Sequence, residues 1–258
     1  MNQPRSTAHE NFEGSMFLYT QPQLLTVEDH GHLGLNTSGQ PYDFVRSIRV
    51  VPLAAAELSS AQKNYPVIFS DLEKPALLAV VGVLEDRNLF VDDNGNWDSA
   101  AYVPSYLRCY PFAMASRQND QYAVVIDRAA PVISENPDQP FFDGQALTAP
   151  IQAQVDFCAQ FAAHEPATQA FCDRLVELEL LSGQQATFTP EGEGDEQTLA
   201  SYVAVDFDKL RKLDATTVEK LFQDGMLPAI YAHRFSLENW FQLLKRRQHS
   251  SPAQVTDN

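Results

Sequence analysis

The chain has 258 residues, 44% of them hydrophobic and 20% charged, which suits a folded protein with a sizeable core and excludes global disorder. Its 18 basic and 34 acidic side chains give a formal net charge of -16, which disfavours nucleic acid and anionic membrane surfaces as partners. The longest apolar run, residues 76–84, is far shorter than the roughly 20 residues of a membrane-spanning helix.

The N-terminal stretch and the cysteines indicate where the protein acts. Residues 1–15 are polar and contain no apolar segment typical of a signal peptide. The three cysteines are an odd number without CxxC spacing, which argues against a disulfide framework and favours a reducing compartment. We therefore expect a soluble cytoplasmic protein, with surface association through an atypical export route as the alternative.

Short apolar runs rich in β-branched residues predict strands in the first half of the chain. They span residues 44–53, 65–69, 76–84, 111–116 and 121–127, the last two forming a predicted hairpin. A short helix is expected over residues 56–63. The Asn94-Gly95 pair predicts a tight turn, because both residue types tolerate positive φ.

Helices dominate the second half of the chain. Capping residues and a first-turn proline predict helix starts at Thr148, Pro166, Asp214 and Ser236, each followed by apolar residues at helical spacing. Gly225 is a natural helix stop. Residues 186–188 and 202–207 are strand candidates on either side of an acidic, glycine-containing loop.

These elements predict an α+β fold. A strand-rich N-terminal part forms a mostly antiparallel or mixed sheet, and a helical C-terminal part packs on it. The predicted single domain covers residues 15–245, β-rich over 15–147 and mainly helical over 148–245. Residues 1–14 and 246–258 are polar without apolar periodicity and are expected to be disordered tails.

Histidines are the scarce residues competent to bind metal. His30 and His32 are two apart and would share one face of a strand, where His233 could complete a site with three ligands. The alternative is a surface loop with solvated imidazoles at the first two positions and a backbone-bonded side chain at the third. The chain contains none of the GxGxxG, GxxxxGK[ST], HExxH or GxSxG motifs, and it indicates no particular cofactor.

The densest cluster of site-like residues is "YVPSYLRCYPF", residues 102–112, with three tyrosines around one arginine. An edge strand and a short helix both fit, and the helix is favoured because proline suits its first turn. The cluster is either a contact surface or a core in which Arg108 stacks on the tyrosines. Candidate ligand- or partner-binding residues are Trp97, Tyr102, Tyr106, Arg108, Tyr110, Asp127 and His233.

Longer strings in the chain are typical of one family of bacterial proteins. They are "NLFVDDNGNWDSAAYVPSYLRCYPF" (88–112), "VVIDR" (124–128) and "LFQDGMLPAIYAHRFSLENWFQLL" (221–244). With the opening "FLYTQPQLLTVEDHGHL", they make the chain resemble the SapC family over about residues 15–245. The family is named for a surface-layer-associated protein and is distinct from a transporter permease of the same name. Its members accompany flavin-dependent halogenase-like and cupin-like proteins, which implies an accessory role in modification or uptake.

Three functions are consistent with these observations. The first is an accessory or binding protein with a protein or peptide partner, supported by the aromatic segment around Arg108. The second is an enzyme that modifies a peptide or small molecule through a histidine-based metal site, with Tyr106, Arg108 and Asp127 contributing. The third is a structural protein associated with the surface layer. We favour the first and leave enzymatic activity undecided.

Overall fold

A computed structural model describes residues 16–37, 39–116, 122–189 and 194–250, with the exception of the side chains of residues 116, 249 and 250. The chain divides into two compact units, one made of Met1–Asn36 with Tyr110–Val155 and the other of Thr37–Cys109 with Asp156–Asn258. The predicted single domain over residues 15–245 stays a prediction. Most of both predicted tails lies outside the described residues, although the last helix continues to Ser250.

The strands of the described residues are β1 (Pro22–Leu24), β2 (Gly34–Leu35), β3 (Val50–Pro52), β4 (Val67–Phe69), β5 (Leu77–Val80), β6 (Phe112–Ser116), β7 (Tyr122–Asp127), β8 (Ile133–Ser134), β9 (Gln139–Pro140), β10 (Phe142–Asp143), β11 (Ala146–Leu147), β12 (Leu181–Phe188) and β13 (Gln197–Val205). The helices are α1 (Val27–His30), α2 (Leu58–Ala61), α3 (Ser105–Cys109), α4 (Ala149–Ala162), α5 (Glu165–Glu177), α6 (Phe207–Leu210), α7 (Ala215–Gln223), α8 (Met226–Ser236) and α9 (Asn239–Ser250), with 3-10 turns at Asp43–Val45 and Ala55–Glu57.

The first unit contains a three-stranded antiparallel sheet in the order β1-β7-β6. The predicted hairpin is confirmed as β6 and β7, which pair with Phe112 opposite Ile126. Both side chains are fully buried, so alternation along the strands directs them into the core of this unit. The linking residues 117–121 lie outside the described part of the chain.

A small sheet in the order β8-β2-β9 shows why one glycine is needed in the first unit. A Cβ atom on Gly34 would lie 2.2 Å from the backbone oxygen of Gln139 and 2.7 Å from the Cα of Pro140. No real side chain tolerates such distances, so the close approach of β2 and β9 depends on the missing Cβ.

The second unit contains a five-stranded antiparallel sheet in the order β12-β13-β4-β5-β3. Helix α8 contacts both β4 and β13, and it also packs against α2 and α7. Five of the seven apolar residues of β4 and β5 are buried here, and the α+β class is confirmed. No helix within the described ranges is both long and apolar enough to cross a bilayer.

Two expectations were wrong in detail. Residues 44–53 form a 3-10 turn at Asp43–Val45 and only the short strand β3, because the buried Asn88 side chain donates a hydrogen bond to the Val45 backbone oxygen and holds a loop there. Ser236 does not cap the last helix. It ends α8, donating to the His233 backbone oxygen at 2.6 Å and accepting from the Val67 N–H at 3.0 Å.

Candidate functional site

The segment singled out by its aromatic density forms helix α3, which confirms the predicted helix. The buried carboxylate of Glu57 accepts hydrogen bonds from the Tyr102 hydroxyl at 2.8 Å and from the Ser105 N–H at 2.7 Å. A carboxylate at this position satisfies a free N–H of the first turn and suits the helix dipole. Helix α3 is therefore held in place by an acidic residue that sequence reasoning did not select.

The hydroxyl, the N–H and the carbonyl of Tyr102 are all hydrogen-bonded within the second unit. Its backbone oxygen accepts a hydrogen bond from the Tyr65 hydroxyl, and its N–H donates to the Asn64 side chain at 3.0 Å. Partial burial raises the pKa of the Tyr102 hydroxyl, and the neighbouring Glu57 carboxylate raises it further. These contacts are those of a structural residue, and a binding role for Tyr102 stays a prediction.

Tyr106 and Arg108 lie on the outer side of α3, next to two phenylalanines of α4. The Arg108 side chain is exposed, and its guanidinium carbon lies 4.2 Å from the centre of the Phe157 ring. Tyr106 is half-buried, with its ring edge-on to Phe161 at 6.4 Å, and burial raises the pKa of its hydroxyl. The arginine thus stacks on a phenylalanine, whereas the sequence suggested the tyrosines.

The structure brings Tyr110 and Asp127 together in the first unit. The fully buried Asp127 carboxylate accepts from the Tyr110 hydroxyl at 3.0 Å, from the Gln21 N–H at 2.8 Å and from the Thr20 N–H at 3.2 Å. Burial raises the pKa of the Tyr110 hydroxyl, as does its bond to the carboxylate. These bonds tie residues 20–21 to the end of β7, which is a structural use of a buried acid.

Trp97 belongs to an aromatic cluster in the core of the second unit. Its ring stacks on Phe90 at a centroid distance of 5.8 Å and meets Tyr65 edge-on at 6.4 Å. The side chain is only 7% exposed, so little of it is available to a ligand without rearrangement. Its predicted binding role stays a prediction.

The three candidate histidines differ in environment. The buried His30 accepts from the Thr26 N–H at 3.2 Å through Nδ1, and its Nε2 lies 3.1 Å from the Gln23 side-chain oxygen. His32 is exposed. His233 is fully buried, and its Nε2 accepts from the Val205 N–H at 3.1 Å. Among the described residues, no group of three His, Cys, Asp or Glu side chains is placed to hold a metal ion.

Burial lowers the pKa of His233 to about 4. The imidazole is therefore neutral at pH 7, with Nε2 as the acceptor atom. Its position beside β13 makes His233 a link between α8 and the sheet.

The residues next to His233 form a surface that sequence reasoning missed. Tyr231 and Phe235 lie four positions apart on α8 and are 47% and 58% exposed. Their ring centres are 6.2 Å apart, and the Tyr231 ring is 5.9 Å from that of Phe207 in α6. Arg234 lies between them in sequence, with its guanidinium carbon 5.1 Å from the Phe207 ring centre. We call Tyr231, Arg234 and Phe235 the α8 face.

A cavity of about 280 Å³ adjoins the α8 face, between β13, α6 and the end of α8. Its lining includes Tyr202, Asp206, Phe207, Asp208, Arg211 and Arg234. Most of these charges already have partners inside the protein. Arg211 is paired with Asp208, and Asp206 caps α6 by accepting from the N–H groups of Asp208 and Lys209.

Arg234 differs from the other charged residues of this lining. Within the described part of the chain, no carboxylate lies within ion-pair distance of its guanidinium, which lies over the Phe207 ring. The cavity therefore presents a cation, Arg234, whose charge no described carboxylate compensates at short range. A cation beside exposed aromatic rings can hold an anionic group and an apolar group together.

The α8 face escaped sequence reasoning because the string "YAHRFS" mixes aromatic, apolar and polar residues and so does not mark which side of the helix is buried. His233 attracted attention as a titratable residue, yet it is the buried member of the string. A usable signal was present: if residue 233 faces the core, residues 231 and 235 lie toward the opposite side, at about 100° per residue. Two aromatic residues at solvent-facing positions would then have been the informative observation.

No curated protein and no solved structure shows significant similarity to this chain. A family model does match, and it covers residues 25–243, which include α3, β13 and the whole α8 face. A match over most of the chain shows that this protein belongs to the SapC family.

Proposed function

We propose that this SapC-family protein is an accessory binding protein that docks a protein or peptide partner on the α8 face. The observation that carries the proposal is the pair of exposed aromatic rings, Tyr231 and Phe235, beside an arginine that has no carboxylate partner within the described residues. Solvent-facing helix positions are normally polar. Tyrosine and arginine are the residue types most enriched at the energetic centres of protein interfaces.

The energetics of the α8 face favour binding. An aromatic side chain buries about 150–250 Å² when fully covered, so a partner that covers both half-exposed rings removes a large apolar area from water. The charge pattern selects the partner, since Arg234 attracts a segment that carries an acidic residue next to an apolar one. Arg234 is therefore a local positive charge on a chain whose formal net charge is -16.

The helix that carries the α8 face is held by contacts on several sides. Helix α8 contacts β4, β13, α2 and α7, and Ser236 and His233 each accept a hydrogen bond from a strand backbone N–H. A surface that is ordered before binding loses less conformational entropy when a partner arrives. Preorganisation of this kind supports a docking function.

Selection of peptides tests the proposal. Random 12-residue peptides displayed on phage are selected on the immobilised full chain, and the enriched peptides are synthesised for affinity measurement. Peptides that dock on the α8 face should bind the double variant Tyr231→Ser/Phe235→Ser at least about tenfold more weakly. The matched control is Phe241→Ser, which removes an aromatic residue of α9 that is 59% exposed.

Circular dichroism and thermal unfolding establish that each variant is folded. If every enriched peptide binds the double variant as tightly as the unmodified protein, the α8 face is not a docking surface. If the control weakens binding as much as the double variant does, the proposal is equally wrong.

A further inference from the structure

We infer that the cavity beside the α8 face is a carboxylate-binding subsite, in which Arg234 holds the side chain of an aspartate or glutamate of the docked peptide. The inference rests on the proposed function and adds the chemistry that the partner must have. Its basis is the composition of the cavity, whose lining includes two aromatic rings, Tyr202 and Phe207, and two arginines, Arg211 and Arg234.

The charges of the lining define the ligand. Arg211 and Arg234 supply two positive charges, and Asp206 and Asp208 supply two negative charges. Asp208 is paired with Arg211, and the Asp206 carboxylate is bonded to the first N–H groups of α6. Among the described residues, Arg234 is therefore the cation of this lining without an ion pair, which suits a ligand with a single negative charge. A phosphate group carries close to two negative charges at pH 7, which is one more than the single guanidinium of Arg234 neutralises.

The shape of the arginine supports a carboxylate in particular. A guanidinium presents a planar fork of N–H donors that matches the two oxygens of a carboxylate. The Arg234 guanidinium carbon lies over the Phe207 ring, 5.1 Å from its centre, which places this cation beside an aromatic wall of the cavity.

The size of the cavity limits what enters it. Its volume of about 280 Å³ is at the lower end of small-molecule sites, which is room for the end of one peptide residue. Phe207 both lines this cavity and contacts the Tyr231 ring, so the cavity and the α8 face are continuous. A peptide can therefore place an acidic side chain in the cavity while an adjacent apolar residue covers Tyr231 and Phe235.

A double-mutant cycle tests the subsite with peptides selected on the unmodified protein. Replacing the acidic residue of the peptide by its amide, and replacing Arg234→Gln in the protein, should each weaken binding about tenfold or more. Made together, the two changes should cost little more than either one, because they remove the same interaction. Arg234→Lys should keep part of the affinity, since it retains the charge but not the fork. Arg49→Gln, an exposed arginine paired with Asp86, is the matched control.

Two defined dipeptides give a readout that needs no selection. The Arg234 Nε–H signal is followed by NMR during titration with N-acetyl-Phe-Glu-amide and with N-acetyl-Phe-Gln free acid. The first should shift the signal and the second should not, which separates a side-chain carboxylate from a terminal one. A shift by the free acid alone, or by neither dipeptide, overturns the subsite.

The outcomes separate the two proposals. Peptides that need Tyr231 and Phe235 but bind equally well with glutamine in place of glutamate, or to Arg234→Gln, would leave the docking surface intact and eliminate the carboxylate subsite. Peptides that need neither aromatic residue would eliminate the docking surface itself.

Discussion

Two short helices of the second unit, α3 and α8, carry the same kinds of residue and use them in opposite ways. On α3, the preceding Tyr102 is bonded through its hydroxyl, its N–H and its carbonyl to Glu57, Asn64 and Tyr65. On α8, the rings of Tyr231 and Phe235 remain about half exposed. Tyrosine, phenylalanine and arginine near one another therefore do not identify a site. The two helices differ in how many polar groups of these residues form hydrogen bonds within the protein, and in how much of their ring area the protein buries.

The largest expected effect on the free energy of unfolding comes from helix α3, whose polar groups the protein satisfies internally. Replacing Glu57→Ala removes the acceptor of three hydrogen bonds, from the Tyr102 hydroxyl and from the N–H groups of Ser105 and Ala54. Leaving buried donors without partners should lower the free energy of unfolding by about 3 to 5 kcal/mol. Urea denaturation followed by circular dichroism measures the loss. Glu238→Ala, at an exposed position, is the control and should change stability by less than about 0.5 kcal/mol. A small effect at Glu57 would mean that α3 is not held in this way.

The second expected effect is the pH dependence of stability that comes from His233, the buried residue of α8 next to the exposed Arg234. Burial lowers the pKa of His233 to about 4 from the ordinary 6.5, so the unfolded chain binds the proton more tightly than the folded protein. The stabilisation that neutral His233 contributes is complete above pH 6.5 and is lost as the pH falls toward 4. At pH 5 the loss should be about 2 kcal/mol relative to pH 7.

The measurement is urea unfolding of the unmodified protein and of His233→Gln at pH 7 and pH 5. Glutamine can still accept a hydrogen bond from the Val205 N–H, but it does not titrate, so the variant should show a smaller loss between the two pH values. Identical losses in both proteins would show that His233 is not the group responsible.

The sequence predicted those parts of the fold in which local chemistry and packing agree. The cap at Asp214 is confirmed, with its carboxylate accepting from the Thr217 N–H at 3.0 Å, and the apolar runs at β4 and β5 are buried strands. Strand β12 was largely missed because its residues 182–185, Ser-Gly-Gln-Gln, include no apolar side chain, so it lacks the apolar alternation that marks a strand. Ser236 was misassigned because a capping residue type says nothing about a bond to a distant strand.

The candidate site was harder to predict than the fold for a physical reason. Tyr102 and Tyr231 are the same residue type, and only tertiary contacts determine that one is bonded to Glu57 and the other faces solvent. Pairing between residues 45 positions apart in sequence cannot be read from composition or spacing.

A third change isolates one bond of α3. Tyr102→Phe keeps the ring and removes the hydroxyl that donates to Glu57 at 2.8 Å. The other two donors to the carboxylate remain, so the expected loss of unfolding free energy is about 1 kcal/mol, well below that of Glu57→Ala. Chemical denaturation of both variants under the same conditions gives the ratio of the two losses in unfolding free energy. If Tyr102→Phe cost as much as Glu57→Ala, the hydroxyl alone would anchor the segment.

The smallest expected effect on stability belongs to the α8 face, and its smallness is the informative result. Tyr231→Ser/Phe235→Ser removes two rings that are 47% and 58% exposed. Among the described residues, the Tyr231 hydroxyl donates no hydrogen bond to the interior. Serine also has a slightly lower helix propensity, so the free energy of unfolding should fall by at most about 1 kcal/mol. Chemical denaturation of this double variant is compared with that of Phe241→Ser, which removes a ring of comparable exposure on α9. A loss of about 3 kcal/mol or more would show that these rings stabilise the fold as Glu57 does, and the contrast between the two helices would then disappear.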